Sequence, residues 1–106
     1  MARKLRIAVL KRMENPEIVR AYWKPAFAER YAGPCAHFEE GQEFTLTHWD
    51  GPPEGFCTWA WADIHKEIML MLGGGSHPAF KSPNVAIACC SDGMKPVVFK
   101  IERIEA

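Results

Sequence analysis

Four cysteines are the residues of this 106-residue chain best suited to chemistry: Cys35, Cys57, Cys89 and Cys90. Structural zinc sites usually pair cysteines two to four residues apart. Here 21 residues separate Cys35 from Cys57 and 31 separate Cys57 from Cys89, and adjacent side chains on a strand point to opposite faces. A zinc or iron site built from Cys35, His37, Cys57 and Cys89 is therefore a hypothesis that rests on ligand type rather than on spacing.

Thiol chemistry is a second hypothesis, with Cys57 and Cys90 as the catalytic candidates. Reactive cysteines lie beside a cation or at the start of a helix. Cys57 immediately precedes Thr58, which caps a predicted helix, and Cys90 is predicted to face Lys95 across a hairpin. A third interpretation treats every cysteine as a small buried apolar residue, because free cysteine is among the most buried residue types.

Trp59 and Asp63 are candidate ligand- or cofactor-binding residues beside the cysteines. Trp59 would line a pocket entrance, although a core position with its indole N–H paired also fits a tryptophan. Asp63 lies in the first turn of the same predicted helix, where the helix dipole alone accounts for an acid. The sequence contains no hydrolase, zinc-protease, phosphate-loop or dinucleotide motif, and no nucleic-acid module.

Net charge and hydropathy limit the classes of partner that the sequence predicts. The formal net charge is zero, which gives no electrostatic reason to expect a nucleic acid or a membrane. Bases predominate in residues 1–24 and acids in residues 29–67, so these segments face each other within the fold or between the subunits of a homo-oligomer. No apolar run resembles a signal peptide. We expect a cytoplasmic protein with reduced thiols.

Hydrophobic periodicity predicts the elements that must position these residues. Leu5, Ile7 and Val9 alternate with polar residues as in a strand, and Asn15-Pro16 begins a helix that turns Tyr22 inward. The remaining predictions are a strand at 43–47, a helix from Thr58 to Leu72 capped by Gly73, and strands at 85–90 and 96–104 joined by a two-residue Asp92-Gly93 turn. We therefore predict one α+β domain over residues 1–106, a mainly antiparallel sheet of about four strands with two helical segments on one side.

Three stretches carry a family resemblance: Gly33-Pro-Cys-Ala-His-Phe38, Pro53-Glu-Gly-Phe-Cys-Thr-Trp-Ala-Trp-Ala-Asp63 and Cys89-Cys-Ser-Asp-Gly-Met-Lys-Pro-Val-Val-Phe99. In this order they resemble a family of small bacterial and archaeal proteins of similar length that has no assigned function. In that family a proline often follows the first cysteine and an arginine precedes the proline of the last motif, where this chain has Ala36 and Lys95. The resemblance implies no activity or cofactor.

Two functions follow from these patterns. The first is an oligomeric protein with a cysteine-lined site that binds a metal or performs thiol redox chemistry. The alternative is a non-catalytic module for small-molecule binding or assembly, with structurally buried cysteines. The first requires at least three cysteines to converge within a few ångströms of one another, whereas packing does not, and the sequence leaves open whether the protein is an enzyme.

Overall fold

Four antiparallel strands and three helices form an α+β fold in the computed structural model, which describes the backbone of residues 4–105 and the side chains of residues 4–104. The elements are β1 (Lys4–Arg12), α1 (Pro16–Tyr22), α2 (Pro25–Ala28), β2 (Glu43–Leu46), α3 (Thr58–Leu72), β3 (Val85–Cys89) and β4 (Val97–Glu105). The sheet order is β2-β1-β4-β3. The predicted fold class is confirmed. Arg3, part of the basic N-terminal segment, lies outside the described residues.

Alternation along the strands gives the sheet one apolar and one polar face, here called the inner and outer faces. Leu5, Ile7 and Val9 of β1 are buried on the inner face. On the neighbouring strands the small side chain of Ala88 lies opposite Phe99, and that of Ala86 lies opposite Ile101. Pairing small with large residues on one face leaves room for a helix to pack closely.

Helix α3 covers the inner face, packing against β1, β3 and β4. Its buried residues recur at helical spacing: Ala60, Ile64, Ile68 and Met71. The helix ends at Gly73, and Gly74 takes a φ of 87°, a conformation that glycine adopts at little cost. The amides of Gly74 and Gly75 then bond to the carbonyls of Met71 and Leu70, as in a helix C-cap.

A cluster of phenylalanines fills the core between α3 and the sheet. The Phe38 ring lies 6.0 Å from Phe44, 5.1 Å from Phe56 and 5.2 Å from Phe99, centroid to centroid. Phe38 is 2% exposed although it belongs to a loop. It therefore anchors the loop that contains Cys35.

The connection between β3 and β4 differs from the predicted two-residue turn. Pairing ends with Cys89 opposite Val98, so Cys90 faces Val97 rather than Lys95. Asp92 Oδ1 instead accepts hydrogen bonds from the amides of Met94 and Lys95. Gly93 lacks the positive φ that the expected turn requires, and Pro96 has no amide to donate. Because the shift is two residues, Cys90 keeps the predicted inner face.

Tyr22 is 82% exposed, so the prediction that it points inward is wrong. Helices α1 and α2 pack against each other, and α1 buries only Val19. The chain becomes extended at Trp23 and Lys24, because the residue before Pro25 avoids helical geometry. The residues that follow α1 therefore leave the Tyr22 side chain largely uncovered. Within residues 4–105 no helix is both long and apolar enough to cross a membrane.

Candidate functional site

Three of the four cysteines line one small cavity beside the β3–β4 connection. Its volume is about 60 Å³, and the residues that line it are Cys35, Phe38, Cys57, Trp59, Ala60, Cys90, Asp92, Lys95 and Val97. All three cysteines are half-buried, so they are shielded but reachable. Binding pockets for whole small molecules measure roughly 300–1,000 Å³. This space, called the cysteine cavity below, admits one functional group of a larger partner.

Cys57 is the N-cap residue immediately before α3, and Thr58, the predicted cap, is instead the first residue of the helix. The Cys57 backbone is extended, with φ −68° and ψ 126°, and its side chain makes no capping hydrogen bond. The first amides of a helix lack partners within the helix and carry partial positive charge. Cys57 therefore holds the N-cap position of α3, one of the positions at which reactive cysteines are found.

Cys90 reaches the cavity because it continues the inner-face alternation of β3 by one residue. Its amide donates to the carbonyl of Val97 over 3.1 Å. The Val97 amide in turn donates to Cys90 Sγ over 3.3 Å. These two contacts fix the sulfur position and give it a hydrogen-bond donor.

Cys35 is placed by a loop that Arg12 holds in position. Arg12 Nη1 donates to the carbonyl oxygens of Cys35 and Phe38, over 3.1 and 3.0 Å. The Arg12 amide donates to Glu40, which is the largest cause of the lowered pKa of that carboxyl. Arg12 was missed by sequence reasoning, because its partners lie 23 to 28 residues away and no local motif indicates them.

Trp59 and Asp63 are joined through Ser91. Asp63 Oδ2 accepts hydrogen bonds from the Ser91 amide over 2.7 Å and from its hydroxyl over 2.9 Å. Trp59 Nε1 donates to the same hydroxyl over 3.0 Å. Trp59 lines the cavity, whereas Asp63 is not among its lining residues. Asp63 therefore links α3 to Ser91, the residue after Cys90, through hydrogen bonds that lie outside the cavity lining.

Lys95 and Asp92 are the charged residues that line the cavity. Asp92 Oδ1 accepts the two hydrogen bonds from backbone amides of the β3–β4 connection. The Lys95 side chain makes no ion pair with any described residue. The cavity lining thus combines three half-buried thiols with one ammonium and one carboxylate, and a cation near a thiol is one feature of reactive cysteines.

His37 and Cys89 lie away from the cavity. His37 Nε2 is 3.1 Å from the Gly55 carbonyl oxygen. Cys89 pairs with Val98 on the outer face, because successive side chains of a strand alternate. Partial burial raises the pKa of the Cys89 thiol, and Cys90 and Asp63 raise it further.

The four residues of the hypothesised zinc or iron site are thus not brought together. Cys35 and Cys57 share the cavity, whereas His37 and Cys89 face elsewhere. Among residues 4–105 no group of three or more histidine, cysteine, aspartate or glutamate side chains has the geometry to hold a metal ion.

Comparison of the chain with protein-family models, with curated proteins and with solved structures found no match in any of the three. The family resemblance of its three motifs therefore stays a prediction.

Proposed function

We propose that this protein performs thiol–disulfide exchange at the cysteine cavity, with Cys57 as the attacking thiol and Cys90 as the resolving thiol. The observation that supports this proposal is the convergence of Cys35, Cys57 and Cys90 on one half-buried space that Lys95 also lines. Exchange needs an accessible thiolate, a second thiol within reach and groups that favour negative charge on sulfur.

The reaction balances with a disulfide as oxidant. The Cys57 thiolate attacks one sulfur of the substrate disulfide, forming a mixed disulfide while the other sulfur leaves as a thiolate and takes up a proton. The Cys90 thiolate then attacks the Cys57 sulfur and expels the second substrate thiol. Two protein thiols are oxidised to one disulfide and the substrate disulfide is reduced to two thiols. A dithiol reductant reverses the sequence.

The size of the cavity supports a substrate that enters by its sulfur atoms. At about 60 Å³ the space holds the reacting group while the rest of the substrate stays outside. The proposal also fits a reducing compartment such as the cytoplasm, where protein disulfides are transient and catalytic.

The test is to incubate the folded, reduced protein with a low-molecular-weight disulfide and map the products by mass spectrometry. The expected product is about 2 Da lighter, with a bond between Cys57 and Cys90. Cys57→Ser should slow consumption of the disulfide at least about tenfold, and Cys90→Ser should trap the mixed disulfide on Cys57. Cys89→Ser is the matched control and should react like the wild type. A wild-type protein that forms no internal disulfide would contradict the proposal.

A second candidate function is assembly, supported by an aromatic surface on the first two helices. Tyr22 and Phe27 are 82% and 53% exposed, and together with Trp23 and Lys24 they line a shallow depression of about 400 Å³. Contiguous exposed apolar surface often marks an interaction site. Light scattering at micromolar concentration is expected to report a homo-oligomer that Tyr22→Ser with Phe27→Ser dissociates. A wild-type monomeric mass would exclude this self-association.

A further inference from the structure

A larger groove adjoins the cysteine cavity at Lys95. It measures about 300 Å³, and the lining residues that matter here are Trp23, Phe27, Arg30, Tyr31, Pro34 and Lys95. Lys95 lines both spaces, and Pro34 immediately precedes Cys35. We call this space the Lys95 groove. A substrate that spans the two spaces would place its body in the groove and its sulfur in the cavity.

The Lys95 groove is aromatic and carries positive charge. Trp23 and Tyr31 meet edge to face with ring centroids 6.3 Å apart. The Arg30 guanidinium lies 5.6 Å from the centroid of the Phe27 ring. Within the described part of the chain, neither Arg30 nor Lys95 has an ion pair, and no acidic side chain lines the groove.

One carboxylate contacts a residue of the groove wall. Glu14 accepts a hydrogen bond from the Tyr31 hydroxyl over 2.6 Å. Burial and this bond raise the pKa of Tyr31 to about 12, so the phenol stays neutral and adds no negative charge. An arginine fork and a lysine ammonium bind carboxylates through charge-assisted hydrogen bonds, and the aromatic rings offer apolar contact.

We propose that the substrates of the cysteine cavity are small disulfides bearing carboxylate groups, held in the Lys95 groove by Arg30 and Lys95. This inference rests on the proposed exchange function and adds the chemical class of its substrate. The groove volume, about 300 Å³, is at the lower end for small-molecule sites. The exchange step itself is unchanged: the carboxylates orient the disulfide and take no part in bond making.

The test compares three symmetrical disulfides that differ in charge: dithiodiglycolate, bis(2-hydroxyethyl) disulfide and cystamine. Each rate is divided by the rate of the same disulfide with 2-mercaptoethanol, which removes differences in intrinsic reactivity. The wild type should prefer the anionic disulfide to the neutral one by about threefold to tenfold and disfavour the cationic one, because one unit charge about 6 Å away in water is worth about threefold. The preference should nearly vanish in about 1 M salt, where the screening length falls to about 3 Å.

The variant Arg30→Gln tests the contribution of the groove independently of the cysteines in the cavity. It should lower the anionic-to-neutral rate ratio about threefold. Lys24→Gln is the matched control, because Lys24 lines the neighbouring depression but not the groove, and its ratio should equal that of the wild type. If Arg30→Gln fails to fold, the salt dependence of the wild-type ratio still decides the question.

The two proposals fail in different ways. Exchange with the neutral disulfide but no preference for the anionic one would overturn the substrate class and leave the exchange function standing. No exchange with any of the three would overturn the proposed function and the substrate class with it. An anionic preference that Arg30→Gln leaves intact would overturn the assignment of the groove.

Discussion

Cys89 and Cys90 are adjacent in sequence, yet they lie on opposite faces of the sheet and in different chemical surroundings. Cys90 enters the cysteine cavity with two other thiols and the Lys95 side chain. Cys89 lies on the outer face, where partial burial together with Cys90 and Asp63 raises the pKa of its thiol. Cys89 is thus the most exposed cysteine and also the one whose thiol has a raised pKa, so exposure alone is a poor guide to which thiol reacts first.

The two faces of the sheet also differ in the interactions that stabilise each of them. The inner face is a continuous apolar core in which Phe99 and Ile101 are fully buried. The outer face carries a row of ion pairs in which Glu102 lies 2.9 Å from Arg6 and 3.7 Å from Lys100. Core packing dominates stability in such domains, whereas exposed ion pairs contribute little. Substitutions on the two faces should therefore differ sharply in effect.

The largest expected effect comes from the inner face. Phe99→Ala should lower the free energy of unfolding by about 3–5 kcal/mol, because it removes buried area and leaves a cavity among the phenylalanines. Ile87→Ala on the outer face, where Ile87 is 38% exposed, should cost less than about 1 kcal/mol. Urea denaturation measures both. Equal losses for the two variants would contradict the assignment of the faces.

Removing the Arg12 side chain should have the next largest effect. Arg12→Ala leaves the carbonyls of Cys35 and Phe38 without this donor, which should cost about 1–3 kcal/mol. It should also speed alkylation of Cys35 by loosening the loop. Lys11→Ala, at the exposed neighbouring position, is the control and should stay within about 0.5 kcal/mol of the wild type. An Arg12→Ala protein that retains wild-type stability and Cys35 reactivity would show that the loop is held by Phe38 alone.

Asp63 connects α3 to Ser91, the residue after Cys90, and its variants should separate stability from charge. Asp63→Ala should cost about 1 kcal/mol, because the Ser91 amide and hydroxyl lose their acceptor. Asp63→Asn keeps an acceptor and should cost less. Both variants remove a negative charge that raises the pKa of Cys89, so alkylation of Cys89 at neutral pH should become faster in both. Unchanged rates of Cys89 alkylation would indicate that burial alone sets the pKa of its thiol.

The smallest effect is expected from the outer ion pairs and should depend on pH. The hydrogen bond from Arg6 is the main cause of the lowered pKa of Glu102, whose ordinary value is 4.5. A carboxyl with a lowered pKa in the folded state stabilises the fold above its unfolded pKa, and the contribution is lost as pH falls through the folded value. Glu102→Gln should therefore destabilise the protein at neutral pH by less than about 1 kcal/mol. The difference from the wild type should shrink in acid, as measured by urea denaturation across pH.

Much of the fold follows from local sequence patterns, whereas the site depends on contacts distant in sequence. The alternation in β1, the apolar stripe of α3 and its glycine cap are local, and the structure confirms them. The predicted two-residue turn after Cys90 was wrong because Asp92 accepts hydrogen bonds from backbone amides within the connection. The carbonyls of Met94 and Pro96 also pair with the amides of Asn15 and Met13, far away in the chain. No spacing rule brings Cys35, Cys57 and Cys90 together.

Position-resolved alkylation tests the central claim most directly. The folded, reduced protein is treated at neutral pH with a limiting amount of iodoacetamide, and each cysteine is quantified by peptide mass spectrometry. The cavity account predicts that Cys57 and Cys90 are modified well before Cys89, although Cys89 is more exposed. Modification of Cys89 first, with the cavity thiols reacting only after the protein unfolds, would contradict the account and indicate that those cysteines serve as packing.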